Sequence, residues 1–216
     1  NLSTEIVNAD IYYTLDGTEP TLSSNIYNAP IEITHSVLLK ASTIINGRIM
    51  GVQAAKQNFV MHKAIAKTVI YQYPVSRFYL ADGPNSLTDG VRGTNVVGKF
   101  WHGFSGKDLV ATIDLGETQN IQSIALGCLQ SYSDWIFLPQ SVSIESSLNG
   151  TDYEQVQTVQ NPISIKEKNA RFDFKATFPA KPMRYIRVSA KNNLCPKGHP
   201  GEGKQGWIFA DEIVVE

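Results

Sequence analysis

Apolar residues along this chain alternate with polar ones far more often than they recur at helical spacing. Short runs rich in Val, Ile, Thr, Tyr and Phe stand between Gly, Asn, Asp and Pro, the pattern of an all-β protein. Ile11-Tyr12-Tyr13-Thr14-Leu15 runs into Asp16-Gly17, and Val37 to Ile44 runs into Asn46-Gly47, so each reads as a strand entering a tight turn. In the second run, Val37, Leu39, Ala41 and Thr43 share one face and are expected to point into a core. Further strands are predicted at Ala64 to Tyr71, Leu109 to Leu115, Ile121 to Leu126, Ser141 to Ser146, Ala170 to Phe174, Tyr185 to Ser189 and Ile208 to Val215. This spacing, with long loops between the strands, predicts a jelly-roll sandwich after a smaller sandwich of about 60 residues.

The stretch from Met61 to Pro74 has neither Gly nor Ser, so the join is not a flexible tether. The boundary is placed near His62, giving domains at residues 1–62 and 63–216. Nineteen Lys and Arg against twenty Asp and Glu leave a net charge of −1, which provides no basic field for the phosphates of a nucleic acid. Hydrophobic residues make up 42% but are dispersed, and no run approaches the roughly 18 apolar residues of a membrane-spanning helix. The chain opens on Asn1 rather than Met and shows no secretion-signal pattern, so it is expected to be a piece of something longer. Cys128 and Cys195 allow one bridge or two thiols, and packing as small apolar residues favours two buried thiols.

Against this background two resemblances appear. Ile11 to Thr21 (Ile-Tyr-Tyr-Thr-Leu-Asp-Gly-Thr-Glu-Pro-Thr), with Tyr27, Pro30-Ile31 and Leu39-Lys40-Ala41, resembles the small C-terminal β-sandwich of bacterial chitobiases and β-hexosaminidases, of immunoglobulin or fibronectin-III type. Leu87-Thr88-Asp89-Gly90, Phe100-Trp101-His102-Gly103, Ile113-Asp114-Leu115-Gly116, Ser146 to Gly150, Tyr185 to Val188 and Ala210 to Ile213 resemble, in that order, coagulation factor V/VIII type C domains. These discoidin-like, galactose-binding-like jelly rolls include the family 32 carbohydrate-binding modules. The pairing is similar to the tail of a Bacteroides-type family 20 β-N-acetylhexosaminidase, in which both modules follow a catalytic barrel.

That resemblance implies a non-catalytic region. A (β/α)8 barrel of about 250 residues would not fit in this chain, and no alternating strand and helix pattern builds one. Asp211-Glu212 copies the catalytic dipeptide of family 20 enzymes but stands just before Ile213-Val214-Val215, where the discoidin pattern gives the glutamate another task. No Gly-x-Ser-x-Gly elbow, Walker loop or His-Glu-x-x-His motif occurs.

The resemblance further implies a structural Ca²⁺ held by the carbonyls of Ser86, Val91, Thr94 and Asp211, the carboxylates of Asp89 and Glu212, and the Thr94 hydroxyl. Such a hard cation takes six to eight oxygens. For sugar, an aromatic ring stacks on a pyranose face while rim groups bond its hydroxyls. The family register points to Trp207 and His102, the middle loop supplies Gln130, Tyr132 and Trp135, and the long loop Asn192 to Gln205 adds His199. That middle loop has no Arg, which departs from the family's galactose pattern and leaves the sugar open between galactose and N-acetylhexosamine types. The expected partners are glycan and an upstream catalytic domain of the same chain, at a periplasmic, cell-surface or secreted location. The alternative is a structural tail whose loops pack on that domain or another partner without binding sugar.

Overall fold

A computed structural model describes residues 1–98 and 100–216 and divides them into two compact units, Asn1–Met61 and His62–Glu216. The first holds β1 (Asp10–Thr14), β2 (Asn25–Ile26), β3 (Val37–Ile45) and β4 (Arg48–Phe59) in one sheet of order β2-β1-β3-β4. Val37, Leu39 and Ala41 are buried as the alternation predicts, but beyond Ala41 the parity changes: Thr43 is half-buried and Ile44 enters the core. Over the same residues β4 carries extra residues, with Ala41 opposite Ala55 and Thr43 opposite Met50, while β3 keeps an unbroken register with β1.

The second unit contains β5 (Val69–Tyr71), β6 (His102–Ser105), β7 (Leu109–Ser131), β8 (Ser141–Ser147), β9 (Glu154–Gln160), β10 (Asn169–Ala190) and β11 (Trp207–Val215). The strand expected from Ala64 begins only at Val69. Residues 63–66 turn instead, with Ala66 at φ 58° and its N–H bonded to the Thr88 carbonyl.

Two long strands organise this unit. β7 and β10 pair through Asn169↔Ser131 to Thr177↔Ser123, slip, and pair again through Tyr185↔Asp114 to Ala190↔Leu109. Gly116, at φ 87°, lies where β7 changes course. The early part of β7 and the late part of β10 join β5, β8 and β9, while the opposite parts join β11 and β6. Both groups contribute to a single core: Leu109, Ala111 and Ile113 from the first, Leu126, Phe174 and Ile208 from the second. The result is the expected all-β sandwich.

The register sends the loops after residues 105, 131, 160 and 190 out at one end, since Leu109 lies beside Ala190, Ser131 beside Asn169, Ser141 beside Gln160 and Ser105 beside Trp207. A second, smaller cluster of Trp101, Leu129, Ile136 and Phe209 closes the outer face of the sheet near this end. Cys128 and Cys195 are buried free thiols.

Candidate functional site

Two polar clusters lie in the second unit. The first is a cradle over the middle of β11. Ala210 pairs with Cys128 and Ile213 with Leu126, so Asp211 and Glu212 together face the single residue Gly127, a β-bulge that turns two adjacent carboxylates out of the core. Asp211 accepts from Arg92 Nε at 2.9 Å and from the Gly93 N–H at 2.8 Å through Oδ2, and Arg92 continues to Asp173. Asp211 is buried and its Oδ1 has no hydrogen-bond partner among the described residues, because it lies directly over Gly127 where a Cβ would overlap it.

Glu212, also buried, accepts from the Gly90 N–H at 2.8 Å and meets His62 Nε2 at 3.0 Å. The Ala64 N–H donates to His62 Nδ1, so the proton sits on Nε2 and points at Glu212. Burial, with Arg92 nearby, lowers the His62 pKa to about 4, so it adds no positive charge at neutral pH. The Asp89 carboxyl closes the cradle from the loop side and also accepts the Val91 N–H at 2.7 Å. Burial, then the charges of Asp89 and Asp211, push Glu212 up to about 10, and burial raises Asp89 as well. Two carboxyl groups thus converge in a site whose other members are neutral donors.

This donor set suits a hard cation. Among the described residues no three His, Cys, Asp or Glu side chains are placed to hold a metal ion by themselves, so a cation here would need carbonyls and hydroxyls of the loop as further ligands. Ser86 lies in a short 3-10 turn, its hydroxyl bonded to the Asp82 N–H and the Gly83 carbonyl, and the Thr94 hydroxyl accepts from the Val96 N–H at 3.2 Å. Val91 is half-buried on the same loop.

The second cluster occupies the loop end. His102 and Gln130, expected as rim contacts, are 0% exposed and spoken for. His102 donates from Nε2 to the Gly83 carbonyl at 2.8 Å and shares Nδ1 with the Tyr71 hydroxyl, and burial lowers its pKa. The Gln130 amide holds the carbonyls of Ser164 and Glu167 and the Leu138 N–H. Both therefore brace loops and do not reach a ligand. Nothing in a sequence reveals that a neighbouring carbonyl will claim such a side chain.

His199 is corrected in the same way, being 4% exposed. Its imidazole contacts the rings of Tyr132, Trp135 and Phe137 at 4.7, 5.3 and 5.6 Å between centroids. Tyr132, Trp135 and Trp207 remain half-buried, with part of each ring open. Trp135 takes a left-handed backbone at φ 65° after the turn Tyr132–Asp134, and its backbone carbonyl accepts from the Trp207 N–H. Trp207 packs edge-on against Tyr79 at 5.5 Å.

At the same loop end lies a groove of about 380 Å³ whose lining includes Tyr73, Lys107, Asp108, Gln140, Asn193 and Gln205. Sequence reading missed this groove, because its lining comes from stretches far apart in the chain: Tyr73, Lys107–Asp108, Gln140 and the loop from Asn192 to Gln205. The loop above it is built rather than loose: Cys195 N–H bonds Lys204, Gly203 N–H bonds Cys195, and Asn192 ties Lys107 to Gly206.

The chitobiase/beta-hexosaminidase C-terminal domain model matches residues 1–54, and the F5/8 type C domain model matches residues 72–208. No curated protein matches the chain. Similar solved structures include chitosan-binding module 1 of a chitosanase/glucanase from Paenibacillus sp. IK-5, at 18% identity over 72% of this chain and 98% of that one, with a TM-score of 0.45. CBM32-3 of a family 31 glycoside hydrolase from Clostridium perfringens shares 15% over 73% of this chain and 94% of its own, TM-score 0.47. The family 32 module of C. perfringens NanJ, solved with galactose, shares 17% over 69% and 93%, TM-score 0.46. With the matched segment covering more than half of its length, and a β-sandwich beneath it, the chain belongs to the F5/8 type C domain family.

Proposed function

We propose that this chain is a non-catalytic carbohydrate-binding region of a larger glycan-degrading enzyme, acting outside the cytoplasm. One observation carries the reading: Tyr132, Trp135 and Trp207, all half-buried, stand at the loop end of the sandwich, which also carries a groove lined by Tyr73, Lys107, Asp108 and the amides of Gln140, Asn193 and Gln205. Rings for the apolar face of a pyranose and amides for its hydroxyls are what a saccharide requires. The family membership of residues 72–208, and the hexosaminidase-tail match of residues 1–54, support an accessory role next to a β-N-acetylhexosaminidase domain. Its effect would be avidity, since a tethered binding module raises the local glycan concentration for its enzyme.

A glycan array on this chain, with galactose, N-acetylgalactosamine and N-acetylglucosamine ligands, is the direct test. Binding should fall at least about ten-fold in Trp135→Ala and in Trp207→Ala, the scale of a lost aromatic contact. Silence across the array would favour the second reading, a tail that packs on the catalytic domain. The burial of His102, Gln130 and His199 supports that alternative, because it removes three of the expected polar contacts.

The reading includes Ca²⁺ at the cradle, held by the Asp89 and Glu212 carboxylates with carbonyls of Ser86, Val91, Thr94 and Asp211 and the Thr94 hydroxyl. Its support is the pair of converging carboxyl groups faced by neutral donors only. When bound, the ion supplies charge balance and ties the 86–94 loop to β11; it performs no chemistry on a substrate. Calcium at about a hundred times its Kd should stabilise the second unit by about 2.7 kcal/mol, and Glu212→Gln should abolish the response. A calorimetric trace unchanged by exhaustive chelation would remove the ion from this account.

A further inference from the structure

His199 does more than fill space. The Gly201 N–H donates to its Nδ1 at 3.0 Å, and its Nε2 lies 2.9 Å from the Tyr132 carbonyl, which can only accept. The network therefore fixes the neutral tautomer with the proton on Nε2. A second proton would have to sit on Nδ1, where the Gly201 N–H already points, and would place a cation in a buried cage of three rings.

The same contacts hold Trp135. Gly201 packs so closely on the benzo edge of the indole that a Cβ would overlap it. The turns His199 N–H to Pro196, Glu202 N–H to His199 and Lys204 N–H to Gly201 carry the imidazole's position into the whole loop 196–204. The charged groups on the surrounding elements are occupied elsewhere or remote. Asp134 accepts the Ser131 hydroxyl, Glu202 accepts the Gly198 N–H, and Lys204 Nζ stands 5.8 Å from the Trp135 ring. Lys197 and Lys168 are the remaining charges and the Cys195 thiol, raised by burial, the remaining titratable group. Among the described residues none of these side chains hydrogen-bonds the imidazole.

We infer that His199 is the positioning residue of the glycan face: its neutral imidazole pins loop 196–204 against Trp135, and protonation releases the loop, so that glycan binding weakens as pH falls. The inference rests on the reading of Trp135 as a sugar contact. Its physical basis is preorganisation, because a ring freed to reorient must be ordered again at the moment of binding. Imidazole is the side chain whose charge changes in the window between about pH 8 and 5. His62 and His102, both lowered by burial, are separated from the effect by a signal specific to Trp135.

The experiment uses the chain labelled with 5-fluorotryptophan, the Trp135 resonance being assigned with Trp135→Phe. In the wild type that resonance should shift or broaden between about pH 8 and 5, and in His199→Gln, which cannot titrate, it should stay in place. For whichever of the galactose, N-acetylgalactosamine or N-acetylglucosamine probes binds, Kd should rise at least about three-fold over the same range and become flat in His199→Gln. A Trp135 signal that does not move in the wild type, or moves equally in His199→Gln, overturns the inference. Movement with none of the three probes bound overturns the glycan reading and leaves the imidazole-held loop standing. A bound probe with a pH-independent Kd does the reverse.

Discussion

The cradle and the loop end solve opposite problems with similar residues. Each buries a histidine bonded to a neighbouring oxygen, Glu212 for His62 and the Tyr132 carbonyl for His199. In the cradle the buried groups Asp211 and Glu212 are acids: Asp211 is matched by Arg92, while Glu212 is left facing the more exposed Asp89. At the loop end the buried groups are neutral, and each satisfies backbone groups: Gln130, Asn192 and His199. Charge buried in the cradle binds loop to strand at high energetic stake. Neutral bracing at the loop end leaves three aromatic rings partly open at small cost. The first arrangement ties a loop to a strand, and the second is the one proposed above to meet glycan.

The sharpest way to break this contrast is Arg92→Met, which takes from the buried Asp211 its nearer cation and leaves it only the more distant, partly exposed Arg171 at 3.5 Å. Urea unfolding should show a loss of about 3–5 kcal/mol in the second unit, with little change in the m-value. A loss below about 1 kcal/mol would mean that Asp211 simply takes up a proton and that the ion pair does not set the stability of this region.

Two glycines refine the comparison, because a Cβ would collide at both. At Gly127 it meets Asp211 Oδ1 and Arg92 Nη2, atoms of the two side chains whose Oδ2 and Nε form the buried ion pair. At Gly201, itself buried, it meets the benzo edge of the half-buried Trp135. Gly127→Ala should therefore cost about 1–3 kcal/mol of unfolding free energy. Gly201→Ala should cost less than about 1 kcal/mol, since the loop and indole can yield. Its glycan affinity should nevertheless drop, because the ring is displaced. Equal thermal shifts for the two variants would erase the distinction between a rigid cradle and an adaptable rim.

What the sequence disclosed follows the same division. Strand periodicity and turn residues made the all-β architecture legible, and the landmarks from Leu87 to Ile213 in order made the family legible. In the cradle, Asp89 and Glu212 could be named because their roles follow from position in the family register. The single Gly127 inside the strand-like Ile124 to Leu129 was itself a sign of close backbone approach. His62 gave no such sign, since it reaches Glu212 only through the folded chain. At the loop end the aromatic residues were legible and the polar ones were not. Whether a histidine or glutamine meets solvent or a buried carbonyl depends on how separate loops stack, and no local pattern encodes that.

The smallest expected effect lies where β7 and β10 change course. Arg184 donates to Asp114 from Nε at 3.0 Å and from Nη2 at 3.1 Å, and the Gly116 N–H adds a third bond to the same carboxylate. These hydrogen bonds, Arg184 foremost, hold the Asp114 pKa down at about 2. A carboxylate that is more acidic in the folded chain than in the unfolded one stabilises the fold above its unfolded pKa near 4, and that contribution disappears as pH falls through about 2. Side chains 38% and 40% exposed are well screened, so most of the nominal effect is lost to solvent. Asp114→Asn should accordingly lower the melting temperature of the second unit by no more than about 2–4 °C at neutral pH. The difference from wild type should shrink toward zero at about pH 2 and be reduced in about 1 M salt. A larger difference at neutral pH, insensitive to salt, would show that the bend itself depends on this pair and belongs with the cradle among the rigid elements of the fold.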